Sequence, residues 1–142
     1  MDKIPPFLLR PWNGVRHMLR PLSVPISGLT AQRQRIDTIA QNIANVETTR
    51  TASGDPYRRQ FTVLERDPNG GVRVAGVQED QSQFIEVYDP GHEDADELGY
   101  VRLPNVDIHT EMADMMVAHR MFEANATVFD AAKAMLRRAL EI

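Results

Sequence analysis

Residues 106–142 read VDIHTEMADMMVAHRMFEANATVFDAAKAMLRRALEI and contain neither glycine nor proline. Strong helix formers dominate, so the stretch predicts one uninterrupted helix, about 50 Å long at ~1.5 Å per residue. Asn105 or Asp107 is placed to cap its start, Glu111 follows near the positive end, and Arg137 and Arg138 lie near the negative end. One apolar stripe runs through Ile108, Met112, Met115, His119, Phe122, Ala126, Phe129, Leu136 and Leu140, interrupted by Lys133. A second runs through Val117, Met121, Ala124, Val128, Ala131, Met135, Ala139 and Ile142. Together they cover about 200° of the circumference, where a surface helix needs about 100°. One partner helix covers one stripe, and the other needs a second cover.

The partner lies near the start of the chain. Leu29, Gln32, Ile36, Ile39, Ile43 and Val46 recur at three- and four-residue steps, a narrow seam at coiled-coil spacing within an expected helix over 26–46. Arg33, Arg35, Asp37 and Gln41 lie mostly off that seam. The seam closes on IDTIAQNIANVETT, residues 36–49, where Asn42 and Asn45 stand among the isoleucines. Asparagine favours caps and turns over helix interiors. Asn45 is expected to end the helix in a left-handed conformation.

Between the helices, residues 47–105 change character. TRTASGDPY is turn-rich, RRQFTVLER favours strand, and DPNGG at 67–71 is a strong turn signal. VRVAGVQED alternates as a strand, Phe84 to Tyr88 is another, Asp89-Pro90-Gly91 stops it, and GYVRLP is a last short strand. The expectation is an α+β chain: two long terminal helices paired antiparallel around a small β-rich insertion. Ahead of them, five prolines in residues 1–25 predict a flexible arm, and Pro5, Pro6 and Pro11 with Arg10, Arg16 and Arg20 break any secretory signal.

Composition narrows the function classes. The chain has 142 residues, 42% hydrophobic, which suits one domain. A net charge of −4 with a pI near 5.5 argues against a nucleic-acid partner, whose phosphates demand a basic face. Without cysteine there is no thiol nucleophile or zinc-thiolate site. His109 and His119 are ten residues apart, roughly 15 Å along one helix and too far to share a metal. No phosphate loop, HExxH or nucleophile elbow is present, so neither catalysis, a cofactor nor a small-molecule substrate is expected. HEDADE, residues 92–97, lacks EF-hand spacing and reads as a solvated acidic loop. Its alternatives are a weak cation site or a match for a basic neighbour such as Arg58-Arg59. The Met-rich stretch EMADMMVAHRM suits an adaptable packing face. A long apolar strip left in water points to an assembling protein.

ISGLTAQRQRIDTIAQNIANVETT resembles the start of the flagellar rod, hook and hook-associated proteins, in which an Asn-hydrophobic-Ala-Asn stretch closes the first helix. GDPYRRQ, YDPGHEDADELGYVRLPNVDIHTEMADMM and the closing HRMFEANATVFDAAKAMLRRALEI extend the likeness over about 26–142 and narrow it to proximal rod subunits. Gln41 departs from a common serine and Pro25 from a common Asp or Phe, and residues 1–17 have no counterpart in the family pattern. The resemblance implies a structural subunit of the basal-body proximal rod. Such a subunit packs with copies of itself and other rod proteins into a tube that transmits torque and encloses the export channel. It implies passage through the flagellar type III export apparatus without a cleaved signal peptide, to a periplasmic position in the basal body. The helices would then form the assembly interface, through Leu29, Ile36, Ile39, Asn42, Ile43, Asn45 and Val46 on the first. On the last they would use Met112, Met115, Met121, His119, Phe122, Ala126, Val128, Phe129, Met135, Leu136 and Leu140. In that setting Asn42 fixes register by reaching neighbouring subunits, or else simply faces solvent. A helical adaptor or export chaperone for another flagellar protein is the alternative.

Overall fold

The computed structural model describes residues 13–141, with side chains from residue 22 onward. Helix α1 spans Asn13–Ala44 and helix α2 spans Ile108–Leu140. Between them lie strands β1 (Gln60–Arg66), β2 (Val72–Glu79), β3 (Ile85–Tyr88) and β4 (Tyr100–Leu103), in two antiparallel pairs, β1–β2 and β3–β4. This is the expected α+β arrangement of two long helices around a β-rich middle.

The helices run antiparallel. Asn42 bonds to Glu111, Arg35 faces Asp114, and a Cβ on Gly28 would come within 2.6–2.9 Å of the Asn125 side chain. Here the flexible-arm expectation for 1–25 needs correction, because α1 begins at Asn13 and carries Pro21 and Pro25 inside it. A proline removes one hydrogen bond and costs about 3 kcal/mol in a helix interior. Pro25 is buried. Residues 1–12 of the expected arm lie outside the described residues.

The β1–β2 hairpin lies lengthwise on α1. Thr38 and Thr62 share a hydroxyl–hydroxyl bond of 3.0 Å, and the Val72 amide donates to Ser27 Oγ at 3.1 Å. Pairing shifts register between Val63 and Leu64, a bulge that raises local twist as the hairpin follows the helix. Gly71 sits at φ +88° with its Cα against Ser27, where a Cβ would fall 2.2 Å from Ser27 Oγ. Only glycine suits both the conformation and the approach.

Helix α1 is therefore covered from two sides, and α2 from one. Pro25, Ala31, Gln32, Thr38, Ile39 and Asn42 are buried on α1, but only Glu111 and Ala118 on α2. The whole chain exposes 11025 Å², against about 7,400 Å² for a compact monomer of its mass. It is long and thin, with more outside than a self-sufficient domain.

Candidate assembly site

The helices and the insertion meet at one buried polar junction. Asn42 is fully buried and uses all four of its hydrogen-bonding positions. Its Nδ2 donates to Gln60 O (2.8 Å) and Glu111 Oε2 (3.0 Å). Its Oδ1 accepts from the Gln60 amide (2.9 Å) and the Tyr57 hydroxyl (3.0 Å). Glu111, also fully buried, takes its second partner from Arg59 Nε at 2.5 Å. Arg59 extends the network to Asp80 (3.8 Å) and Asp114 (3.6 Å), and its amide donates to Asn105 Oδ1 at 2.8 Å. Desolvation first, then Glu111 and Glu79, push the Tyr57 phenol above its ordinary value. Hydrogen bonds from the Ser82 backbone and side chain lead in holding Asp80 below the usual carboxylate range.

This corrects the readings of both asparagines. Asn42 does not face solvent, and each polar atom of its side chain is bonded within the chain. It does fix register, but between α1, β1 and α2. Asn45 does not enter the left-handed region, for no described residue other than glycine has positive φ. Instead the backbone tightens at the helix end, with Asn45 donating to Gln41 O and accepting from Thr48 Oγ1.

The contact line of α2 is offset from the expected stripe. Met115, Phe122, Ala126, Phe129 and Leu136 are partly covered, as are Leu29, Ile36 and Ile43 of α1 and Val46 just beyond its end, while Ile39 is buried. Ile108, Met112, His119 and Leu140 are exposed, and Glu111, Ala118, Asn125 and Ala132 take the inward positions beside the shared residues. Small residues at Gly28, Ala31 and Ala118 let the backbones approach closely, and large side chains in those places would hold them apart. A hydrophobicity pattern selects bulk and so misses a seam built on small residues. The signal for Glu111 was its position, one turn before Met115 and two before Ala118 on a single line.

A third of a turn around α2 from this seam, the second stripe is uncovered. Val117 is 49% exposed, Met121 46%, Val128 55% and Met135 70%. Ala124, Ala131 and Ala139 lie exposed between them. The acidic loop is tied down by Asp94, which pairs with Arg50 and accepts from Thr49 Oγ1. Arg58 does not face this loop. It donates to the Asp80 and Ser82 carbonyls and stacks 4.4 Å above the Phe84 ring. Among the described residues no group of three or more metal-ligating side chains converges.

Two packed helices with a thin shared core and a bare apolar face are the make-up of a subunit built to be surrounded. Residues 22–50 match the flagella basal body rod protein family, and residues 97–142 match the C-terminal family of the flagellar basal body rod FlgEFG proteins. The chain is 44% identical to the flagellar basal-body rod protein FlgC of Borreliella burgdorferi, across 85% of this chain and 94% of that one. It is 41% identical to FlgC of Bacillus subtilis (85% and 95%) and 38% to FlgC of Escherichia coli O6:H1 (88% and 97%). The chain belongs to the flagellar basal-body rod protein family.

Proposed function

We propose that this chain is a structural subunit of the flagellar basal-body rod and that its outer α2 stripe is buried by neighbouring subunits. The neighbours are copies of itself and other rod proteins. Packed upright, the helix pairs form the wall of a tube that transmits torque and encloses an export channel. The chain does no bond chemistry in this role, and it reaches the periplasmic basal body through the flagellar export apparatus without a cleaved leader. Family membership and the FlgC relatives support the rod. The single observation that carries the assembly surface is the stripe Val117–Met121–Val128–Met135, exposed on a helix whose inner face is already covered. Burying each such side chain contributes about 1.5–3 kcal/mol.

The test is a charge on the stripe. Val128→Glu and Met121→Glu are expected to leave the thermal midpoint of the purified chain unchanged, since both side chains are already in water. In cells where the variant replaces the parent, basal bodies should lack it and motility should be lost. Normal incorporation of both variants would remove the stripe from the assembly surface. Recovery of the parent chain in a soluble pair with one other flagellar protein, absent from basal bodies, would favour the adaptor.

A further inference from the structure

Strand β3 has a free edge. Its pairs with β4 run from Ile85–Leu103 to Tyr88–Tyr100, and just beyond them the Asp89 amide donates to Gly99 O at 2.9 Å. Bonded and non-bonded pairs alternate along an antiparallel ladder, so the backbone groups of Glu86 and Tyr88 point away from β4. Tyr100, across from Tyr88, has the same outward phase on β4, and its amide and carbonyl both bond to Asp96. No such cover reaches β3 among the described residues: its sheet has two strands, and all four residues of β3 are exposed. A bare edge is a template for one more strand.

The edge is also anionic. Glu86 and Asp89 on it, with Glu93 and Glu97 in the following loop, are exposed and form no ion pair among the described residues. Arg102 stands across from Glu86 on β4 but bonds to Asp55 at 3.2 Å. Beside these charges Ile85 and Val87 stay 45% and 41% exposed. The fitting occupant is a short extended segment, apolar and carrying a cation.

The start of the chain, MDKIPPFLLRPW, contains one. FLLR, residues 7–10, is as long as β3 and is bracketed by Pro6 and Pro11, so it has a full set of amides and cannot pair much further. Lys3 and Arg10 outnumber Asp2. The rod-family match begins at residue 22, which leaves this stretch outside the shared part of the chain. It cannot serve the β3 of its own copy. Arg10 is tethered to Asn13 by roughly 10 Å of extended chain at most, whereas α1 rises about 43 Å from Asn13 to Asn42. Strand β3 lies at the Asn42 end, where Asn42 accepts the Gln60 amide and the nearby Arg58 stacks on Phe84.

We propose that residues 7–10 of one copy add to the β3 edge of a second copy as a third, antiparallel strand. Leu8 and Arg10 exchange backbone hydrogen bonds with Tyr88 and Glu86, and Leu9 packs beside Val87. The Arg10 guanidinium faces the Glu86 carboxylate. Pro11 comes opposite Ile85, where the strand's nitrogen points away from β3 and the missing N–H costs nothing. Segment and edge lie at opposite ends of α1, so the contact is head-to-tail and propagates rather than closing a two-fold dimer. It is separate from the α2 stripe.

The absence of cysteine makes the test direct. Purified full-length Leu9→Cys and Val87→Cys variants, mixed and mildly oxidised, are expected to form a disulfide-linked heterodimer. A non-hydrogen-bonded cross-strand pair holds its Cα atoms about 4.5 Å apart, within disulfide reach. The yield should exceed that of Leu9→Cys with Ala75→Cys, an exposed position on the other sheet, by roughly tenfold, the factor that about 1.4 kcal/mol of preference gives. Adding Glu86→Arg to the Val87→Cys variant should remove the excess, and adding Arg10→Glu to its partner should restore it. A yield no higher than the control overturns the added strand, as does failure of the charge exchange to restore it. With both cysteines in one chain, cross-links should form only between chains, and a disulfide closed within a monomer overturns the head-to-tail contact. Val128→Glu in both variants should leave the cross-link intact, so failure of the stripe and failure of this contact are read separately.

Discussion

Asn42 shows how much can hang on one side chain. Replacing it with alanine leaves the Gln60 amide and carbonyl, the Glu111 carboxylate and the Tyr57 hydroxyl without a shared partner in a buried site. Each orphaned group costs about 1–3 kcal/mol unless water enters. Asn42→Ala is expected to destabilise the free chain by roughly 2–4 kcal/mol in urea unfolding. A loss near zero would mean the junction is wet. Tyr57 gives the same site a pH signature. Its phenol must keep its proton to donate to Asn42, and its folded pKa is raised, chiefly by desolvation, above the ordinary 10.0. The contribution is thus complete below that ordinary value and is lost as pH rises through the higher folded one. Tyr57→Phe should unfold with a flatter dependence on alkaline pH than the parent, measured by thermal midpoints across that range.

At the scale of the element, the hairpin and the helix caps hold the long rods in place. Gly71→Ala forces a side chain into the left-handed region, at about 1–2 kcal/mol, and pushes Ser27 away from the Val72 amide. Faster hydrogen exchange at Val72, with the β4 amides unchanged, would show the hairpin tip lifting from α1. Helix α2 starts on Asp107, whose Oδ1 accepts the Thr110 amide at 2.7 Å. That hydrogen bond leads in holding the carboxyl below its ordinary value of 3.8. Its contribution is full above that value and is lost as pH falls through the lower folded one. Asp107→Asn keeps the cap without a titrating group. The variant is therefore expected to lose less helix signal than the parent in an acid titration followed by far-ultraviolet circular dichroism.

At the scale of the whole molecule, the outside of the chain is as informative as its core. Prolines aside, Ala31, Ile39, Val101, Val106 and Ala118 are the buried apolar residues among those described, too few to hold two rods of about 50 Å firmly together in solution. Ordering each helix costs backbone entropy that packing must return. The free chain is therefore expected to lose residues before about 47 and after about 106 first in limited proteolysis, with the hairpin segments cut later. Mass spectrometry of the fragments checks the order. Protection of both ends in an isolated monomer would mean that the helix pair is self-sufficient.

How far the sequence reaches differs by feature. The last helix, the part of α1 from residue 26 onward, the four strands, the turn at 67–71 and a cap at Asn105 or Asp107 follow from local chemistry: periodicity, the absence of glycine and proline from α2, and turn residues. The excess of apolar surface on α2 was equally legible, since a 200° arc cannot be hidden by one partner. Other features depend on residues far apart in the chain. Arg59 and Glu111 are 52 positions apart, and no local pattern joins them. Pro21 and Pro25 oppose a helix locally, yet α1 runs through both. The seam of small residues, the hairpin laid on α1 and the offset of the α2 contact line likewise depend on residues far apart. Sequence by itself determined which elements form and that one face is left over. Tertiary structure alone decided which residues touch, because close packing rewards shape and complementary hydrogen bonding rather than hydrophobicity along the chain.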